Sequence, residues 1–133
     1  MTETQVEQTE DAATVAVSRM IAAPPVHVWE VLVSPPGSEA ILGRGATLGS
    51  KGQSWHSDEG SVGCVRSFHP VEQIRVSWHE TPDAPRSVVE IDVVPDGTST
   101  RVDLRHDRVS GDVSSDEARW NAALDRFADV VAR

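Results

Sequence analysis

Apolar residues recur with period two in four places along the chain. Val15, Val17 and Ile21 share one parity, as do Ile74, Val76 and Trp78, then Val89, Ile91 and Val93, and finally Val102 and Leu104. The positions between them are largely polar: Arg75 and Ser77, Glu90 and Asp92, Asp103 and Arg105. Such alternation predicts an antiparallel sheet with one buried face and one wet face. Pro95-Asp96-Gly97-Thr98 separates the last two runs and predicts a hairpin. Pro70-Val71-Glu72 predicts another turn, between a strand ending near Phe68 and one restarting near Ile74. Gly43, Gly45, Gly49, Gly52, Gly60 and Gly63 predict short, bent strands in the middle of the chain.

Two segments follow a helical pattern instead. Pro24-Pro25 opens a stretch to Val33 in which Val28 and Leu32 lie four apart, with Trp29 beside them. Proline is tolerated in a first helical turn, and Ser34-Pro35-Pro36-Gly37 closes the stretch, because a residue before proline avoids the helical region. Near the C-terminus, Ser114 and Glu117 have the spacing of a capping box. Trp120, Leu124, Phe127 and Val131 then form one apolar stripe, with Asp116, Arg119, Asp125, Arg126 and Asp129 at other positions. This predicts a helix of about 18 residues, roughly 27 Å long. Its stripe has the apolar face of the sheet as the surface to bury against.

Composition narrows the function. The chain has 133 residues, about one domain. Twelve Lys+Arg stand against 21 Asp+Glu, a formal net charge of −9. That balance argues against nucleic acid as a partner, since phosphate neutralisation needs a concentrated basic surface, and against an anionic membrane. Residues 1–12 carry Glu3, Glu7, Glu10 and Asp11 with Val6 as a lone larger apolar residue, and are expected to be a disordered acidic tail. Without them residues 13–133, the expected domain, remain acidic. Cys64 is the single cysteine, so no intrachain disulfide can form. No apolar run approaches a membrane span, and the N-terminus lacks the basic start and apolar core of a signal peptide. These features predict a cytoplasmic domain.

The order of strand, short helix, several strands and long C-terminal helix carries a family likeness. Val17-Ser18-Arg19-Met20-Ile21-Ala22-Ala23-Pro24-Pro25 running into Val28-Trp29-Glu30-Val31-Leu32 resembles the opening of the START-like (SRPBCC) superfamily. Gly63-Cys64-Val65 with Ile74-Arg75-Val76-Ser77-Trp78 resembles its central hairpin. Val88-Val89-Glu90-Ile91 through Gly97 to His106 resembles its late hairpin, and Trp120 matches the Trp early in its last helix. Within the superfamily the likeness is to the branch related to the activator of Hsp90 ATPase, and it covers residues 13–132. The resemblance implies an α+β helix-grip fold: a curved antiparallel sheet of about six to seven strands around a long C-terminal helix, with two short helices after the first strand. It also implies a cavity between sheet and helix, used in relatives for hydrophobic or amphipathic small molecules. Two positions depart from the pattern. Ile41-Leu42-Gly43 stands where many relatives carry a Trp in the second short helix, and Arg119 where many carry a Gly.

The candidate cavity residues follow from parity and stripe. On the strands they are Arg19, Trp55, Val65, Trp78, Ile91, Leu104 and His106; on the last helix, Trp120, Leu124 and Phe127. His106 shares the parity of Val102 and Leu104, so it either faces the cavity as a polar contact or sits at the rim, where the strand has run past the core; the rim is the plainer expectation. Arg19 could bind a carboxylate there, but pairing with an acid or snorkelling at the sheet edge is the plainer expectation. The tryptophans either wall a cavity or simply fill the core. Cys64 reads as small buried filler rather than a nucleophile. His27, His56, His69 and His79 have no metal-ligand spacing, so neither a metal nor a cofactor is expected. The favoured function is non-catalytic binding of a hydrophobic or amphipathic small molecule by a monomer or weak homodimer. The alternatives are a protein-interaction or chaperone-regulating role, and a cyclase- or hydrolase-like enzyme using His106 and Arg19.

Overall fold

A computed structural model describes residues 13–109 and 113–133, with side chains for 14–107 and 116–133. The expected tail over residues 1–12 and the side chain of Ser114 lie outside the described residues. The element order is β1 (Ala13–Ile21), α1 (Pro25–Leu32), α2 (Pro35–Leu42), β2 (Ser54–His56), β3 (Val62–His69), β4 (Gln73–Trp78), β5 (Ser87–Asp96), β6 (Ser99–Val109) and α3 (Val113–Val131). The six strands make one antiparallel sheet in the order β1-β6-β5-β4-β3-β2, with α3 against its concave face, the helix-grip architecture. Among the described residues, no helix is long and apolar enough to cross a membrane.

Register explains why the period-two residues form one surface. Reading across the sheet, Val15, His106, Val89, Val76 and Val65 lie side by side in one row, and Val17, Leu104, Ile91, Ile74 and Phe68 in the next. All but Phe68 are buried, and Phe68 meets Trp29 of α1 edge to face at 5.4 Å. The Asp96–Ser99 pair closes the β5–β6 hairpin over Gly97-Thr98, where the turn was expected.

The opposite face is not uniformly wet. Ser77 and Glu90 are buried there. Ser77 Oγ accepts the Cys64 backbone N–H at 2.9 Å, and Glu90 accepts from the Arg75 guanidinium at 2.8 Å. Cys64 is partly exposed beside Ser77, not the buried filler its flanking residues suggested.

Pro35-Pro36 ends α1 and immediately opens α2, since proline fits the first turn of a helix. The two helices meet through glycine. A Cβ built at Gly37 would sit 1.8 Å from the Val31 carbonyl oxygen. Ser38 is fully buried at this junction, donating to the Leu32 carbonyl at 2.8 Å and accepting the Leu48 N–H at 3.2 Å. That pins the irregular segment after α2, whose Ala46 and Leu48 enter the core without any periodic signal.

The stripe of α3 is buried as expected: Trp120, Leu124, Phe127 and Val131, with Ala123 beside them. Each large side chain contributes about 1.5–3 kcal/mol. Its cover is shared, however: α3 packs on β1 and also on α1 and α2. Arg126 donates to the Ala40 carbonyl at 3.1 Å, and Arg19 pairs with Asp125. Replacing Gly37 by Ala forces α1 and α2 apart; we expect a loss of at least about 3 kcal/mol, measured as the drop in urea midpoint relative to the native chain.

Candidate functional site

His106 lies at the centre of the interior, not at the rim. Its β6 register places it between Val15 and Val89, and only 2 % of its surface is exposed. Trp78 of β4 and Trp120 of α3 enclose it, with ring centroids 5.0 and 5.5 Å from the imidazole, each nearly perpendicular to it. The two indoles meet each other edge to face at 6.1 Å. Aromatic pairs favour this geometry, because positive ring edges meet negative faces.

The hydrogen bonds fix the imidazole's state. Trp120 Nε1–H donates to His106 Nδ1 at 3.1 Å. An indole N–H can only donate, so Nδ1 must accept and Nε2 carries the proton. Nε2–H then donates to Ser87 Oγ at 2.7 Å, and Ser87 in turn donates to the Trp78 carbonyl at 3.0 Å. The chain runs from α3 through β6 and β5 to β4 and leaves neither imidazole nitrogen free to take a substrate proton. Burial, and secondly the Arg119 guanidinium, lower the His106 pKa from 6.5 to about 4. The imidazole is neutral at pH 7.

A cleft of about 220 Å³ opens beside this cluster, between α2, β4 and α3. Trp78 and Trp120 form its inner wall, with Ile41 and Leu42 of α2 opposite. Its mouth carries Arg119 and Arg126 from α3, and Glu59 and Glu80 from the loops after β2 and β4. The Arg119 guanidinium lies 5.2 Å from the Trp78 ring centroid, a cation–π contact, and 3.7 Å from Asp116.

Of the ten sequence candidates, Trp78 and Trp120 line this cleft and His106 supports them from behind. Val65, Ile91, Leu104, Leu124 and Phe127 are packed into the core between sheet and helix, each at most 1 % exposed. Arg19 sits on the edge strand β1, opposite Val102, and pairs with Asp125 of α3. Trp55 is buried on β2, donating to the Ser77 carbonyl at 3.2 Å and covering Gly63. The sequence reading did not single out Ser87, Arg119, Arg126, Glu59 or Glu80 as site residues. The departures at Ile41-Leu42 and Arg119 were the available signal, since all three line the cleft. Among the described residues, no group of three or more His, Cys, Asp or Glu converges as a metal site would.

Comparison with known proteins gives a family profile described as activator of Hsp90 ATPase homolog 1-like protein, which matches residues 22–132. None of the curated proteins matches the chain. Among solved structures, protein MLL2253 from Mesorhizobium loti superposes with a TM-score of 0.75 at 23% identity, covering 91% of this chain and 98% of that one. CalU16 from Micromonospora echinospora gives 0.77 at 19% identity, covering 90% and 76%. The Aha1 dimer from Colwellia psychrerythraea gives 0.74 at 14% identity, covering 90% and 96%.

The depressed His106 pKa sets a pH dependence. Between pH 6.5 and about 4 the unfolded chain takes up a proton on His106 that the folded chain refuses. The stability this residue contributes is therefore complete above pH 6.5 and declines as pH falls towards 4, by about 3 kcal/mol in all. Carboxylates add their own acid dependence, so the test is a difference. The loss of folding free energy between pH 7 and pH 4.5 should be smaller in His106→Asn than in the native chain. Nitrogen-15 NMR should find the Nε2–H tautomer and a His106 midpoint near pH 4.

Proposed function

The chain belongs to the family of activator-of-Hsp90-ATPase homologue 1-like proteins, and from that premise we propose that it is a START-like binding domain for a small hydrophobic or amphipathic molecule. The ligand enters between the sheet and the C-terminal helix, at the cleft walled by Trp78 and Trp120. One observation carries this reading: Trp78 and Trp120, tied together through the His106 relay, line a cleft that two arginines and two glutamates also line. Apolar walls with a few polar groups that fix orientation are the usual composition of small-molecule sites. The cleft is smaller than the roughly 300–1,000 Å³ of sites for drug-sized ligands. It therefore suits a compact aromatic or short-chain molecule, or one end of a longer one.

The reading is non-catalytic, and its setting is the cytoplasm. The two alternatives for His106 as acid or base lose weight, because both ring nitrogens are already engaged and the imidazole is neutral. A second reading, docking to a partner protein, draws support from the family and from the Colwellia Aha1 dimer. It predicts capture of a chaperone or self-association rather than ligand-dependent fluorescence.

Indole emission provides the test. Titration with octanoate, indole-3-carboxylate and anilinonaphthalene sulfonate should change tryptophan fluorescence saturably with at least one of them. NMR should place the response at the Trp78 and Trp120 indole N–H groups and leave Trp29 and Trp55 unmoved. Arg119→Ala should weaken binding of the carboxylates severalfold. No response at Trp78 or Trp120 at millimolar concentrations of all three sinks the proposal.

A further inference from the structure

The face of the sheet turned away from α3 holds a second hollow, of about 260 Å³, lined by Arg66, Ser67, Arg75, Ser77, Arg86 and Val88. A β-bulge creates it. Val65 opposes Val76 and Ser67 opposes Arg75, so β3 advances two residues where β4 advances one, and Arg66 is the extra residue. A bulge re-aims side chains. Here it puts Arg66 and Ser67 together on the outer face beside Arg75, while Val65 and Phe68 keep their inward places. Arg86, one residue before β5, completes the frame.

Three features separate this hollow from an ordinary solvated surface. Three arginines and no carboxylate line it, in a chain whose net charge is −9. Two acids of the neighbouring strands are already paired, Glu90 with one of the hollow's own arginines. Glu90 is held by Arg75 at 2.8 Å and faces Arg105 at 3.8 Å, while Asp107 lies 3.3 Å from Arg105 and accepts from Thr14 at 2.9 Å. Among the described residues neither Arg66 nor Arg86 forms an ion pair. Finally, Ser67 Oγ is buried with no hydrogen-bond partner. Buried hydroxyls are nearly always partnered, and leaving one unpaired is costly. A ligand in the hollow would supply the missing acceptor.

We propose that this hollow is a binding site for a phosphate monoester group, with Arg66, Arg75 and Arg86 gripping its oxygens and the Ser67 hydroxyl donating to one of them. Guanidinium forks match phosphate oxygens in pairs. Donors arriving from β3, β4 and the start of β5 suit a tetrahedral dianion with three terminal oxygens better than a planar carboxylate. Glu90 fixes Arg75 through Nε and Nη2, at 3.3 and 2.8 Å, which leaves Nη1 to face the ligand. Phosphorylated side chains and phosphorylated small metabolites share this chemistry. The site lies on the opposite side of the sheet from the tryptophan cleft, so either can fail without the other.

The full chain is titrated by NMR with orthophosphate, glycerol 3-phosphate and a phosphoserine peptide, at constant ionic strength set by chloride. Orthophosphate should give saturable shifts at the Ser67 amide and at the Arg66 and Arg86 Nε–H groups, and acetate should not. The Arg66→Ala/Arg86→Ala double variant, which breaks no side-chain hydrogen bond or ion pair seen among the described residues, should bind about tenfold or more weakly; Arg101→Ala, outside the hollow, should bind normally. Ser67→Ala should weaken binding severalfold while leaving Tm unchanged or raised, because no existing hydrogen bond is lost. Tenfold preference for the peptide assigns a protein source, and preference for glycerol 3-phosphate a metabolite; both uphold the site. Shifts no larger than those from chloride, or native affinity in the double variant, overturn it.

Discussion

The hydrogen bond from Trp120 to His106 is the constraint on which the interior depends. It joins the one long helix to the middle of the sheet through a buried polar side chain of β6. The rest of the relay extends the tie to β5 and β4. Apolar burial supplies most of the attraction between α3 and the sheet, but it is non-directional. The indole–imidazole–hydroxyl chain gives it a register: helix rotation or sliding would strand a donor in a dry interior, at a cost of about 1–3 kcal/mol per unpaired group.

That register shapes the cleft. Trp120 and Trp78, packed against the imidazole and themselves buried, line the cleft beside it. The core beyond is closed by Val65, Ile91, Leu104, Leu124 and Phe127. A wide tunnel along the helix is therefore filled, and the space that survives is at the mouth. Its lining comes from α2, β4, α3 and the loops after β2 and β4, with Ile41, Leu42 and Arg119 among it. The inward rows and the α3 stripe set the frame, while the charged residues at the opening lie outside them. The same division holds on the outer face, where one inserted residue in β3 gathers arginines without disturbing the inward rows.

Much of this architecture was legible in the residues. Period-two alternation located β1, β4, β5 and β6, the Asp96-Gly97 turn located their hairpin, and the Trp120-to-Val131 stripe located α3, because local periodicity reports which face is buried. The region from Gly43 to Gly63 was legible only as short, bent strands with Trp55 a candidate inward residue: Ala46 and Leu48 are buried there through single contacts such as Ser38 to Leu48, which leave no repeat. His106 shows the limit most clearly. Its parity pointed inwards, yet an imidazole at the end of a strand reads as a rim residue until its partners are known, and those partners are 14 and 19 residues away.

By itself the sequence determined the inward face of each long strand and the buried stripe of α3, since each follows from periodicity within one element; the helix-grip frame came from the family resemblance. Only the tertiary structure decided that the interior is filled and that His106 is a neutral, fully engaged tie. It also decided that hollows open beside Trp78 and Trp120 and over the β3 bulge. Those outcomes depend on side chains from separate elements meeting at hydrogen-bond distance, and such distances are set by packing rather than by any pattern within a segment.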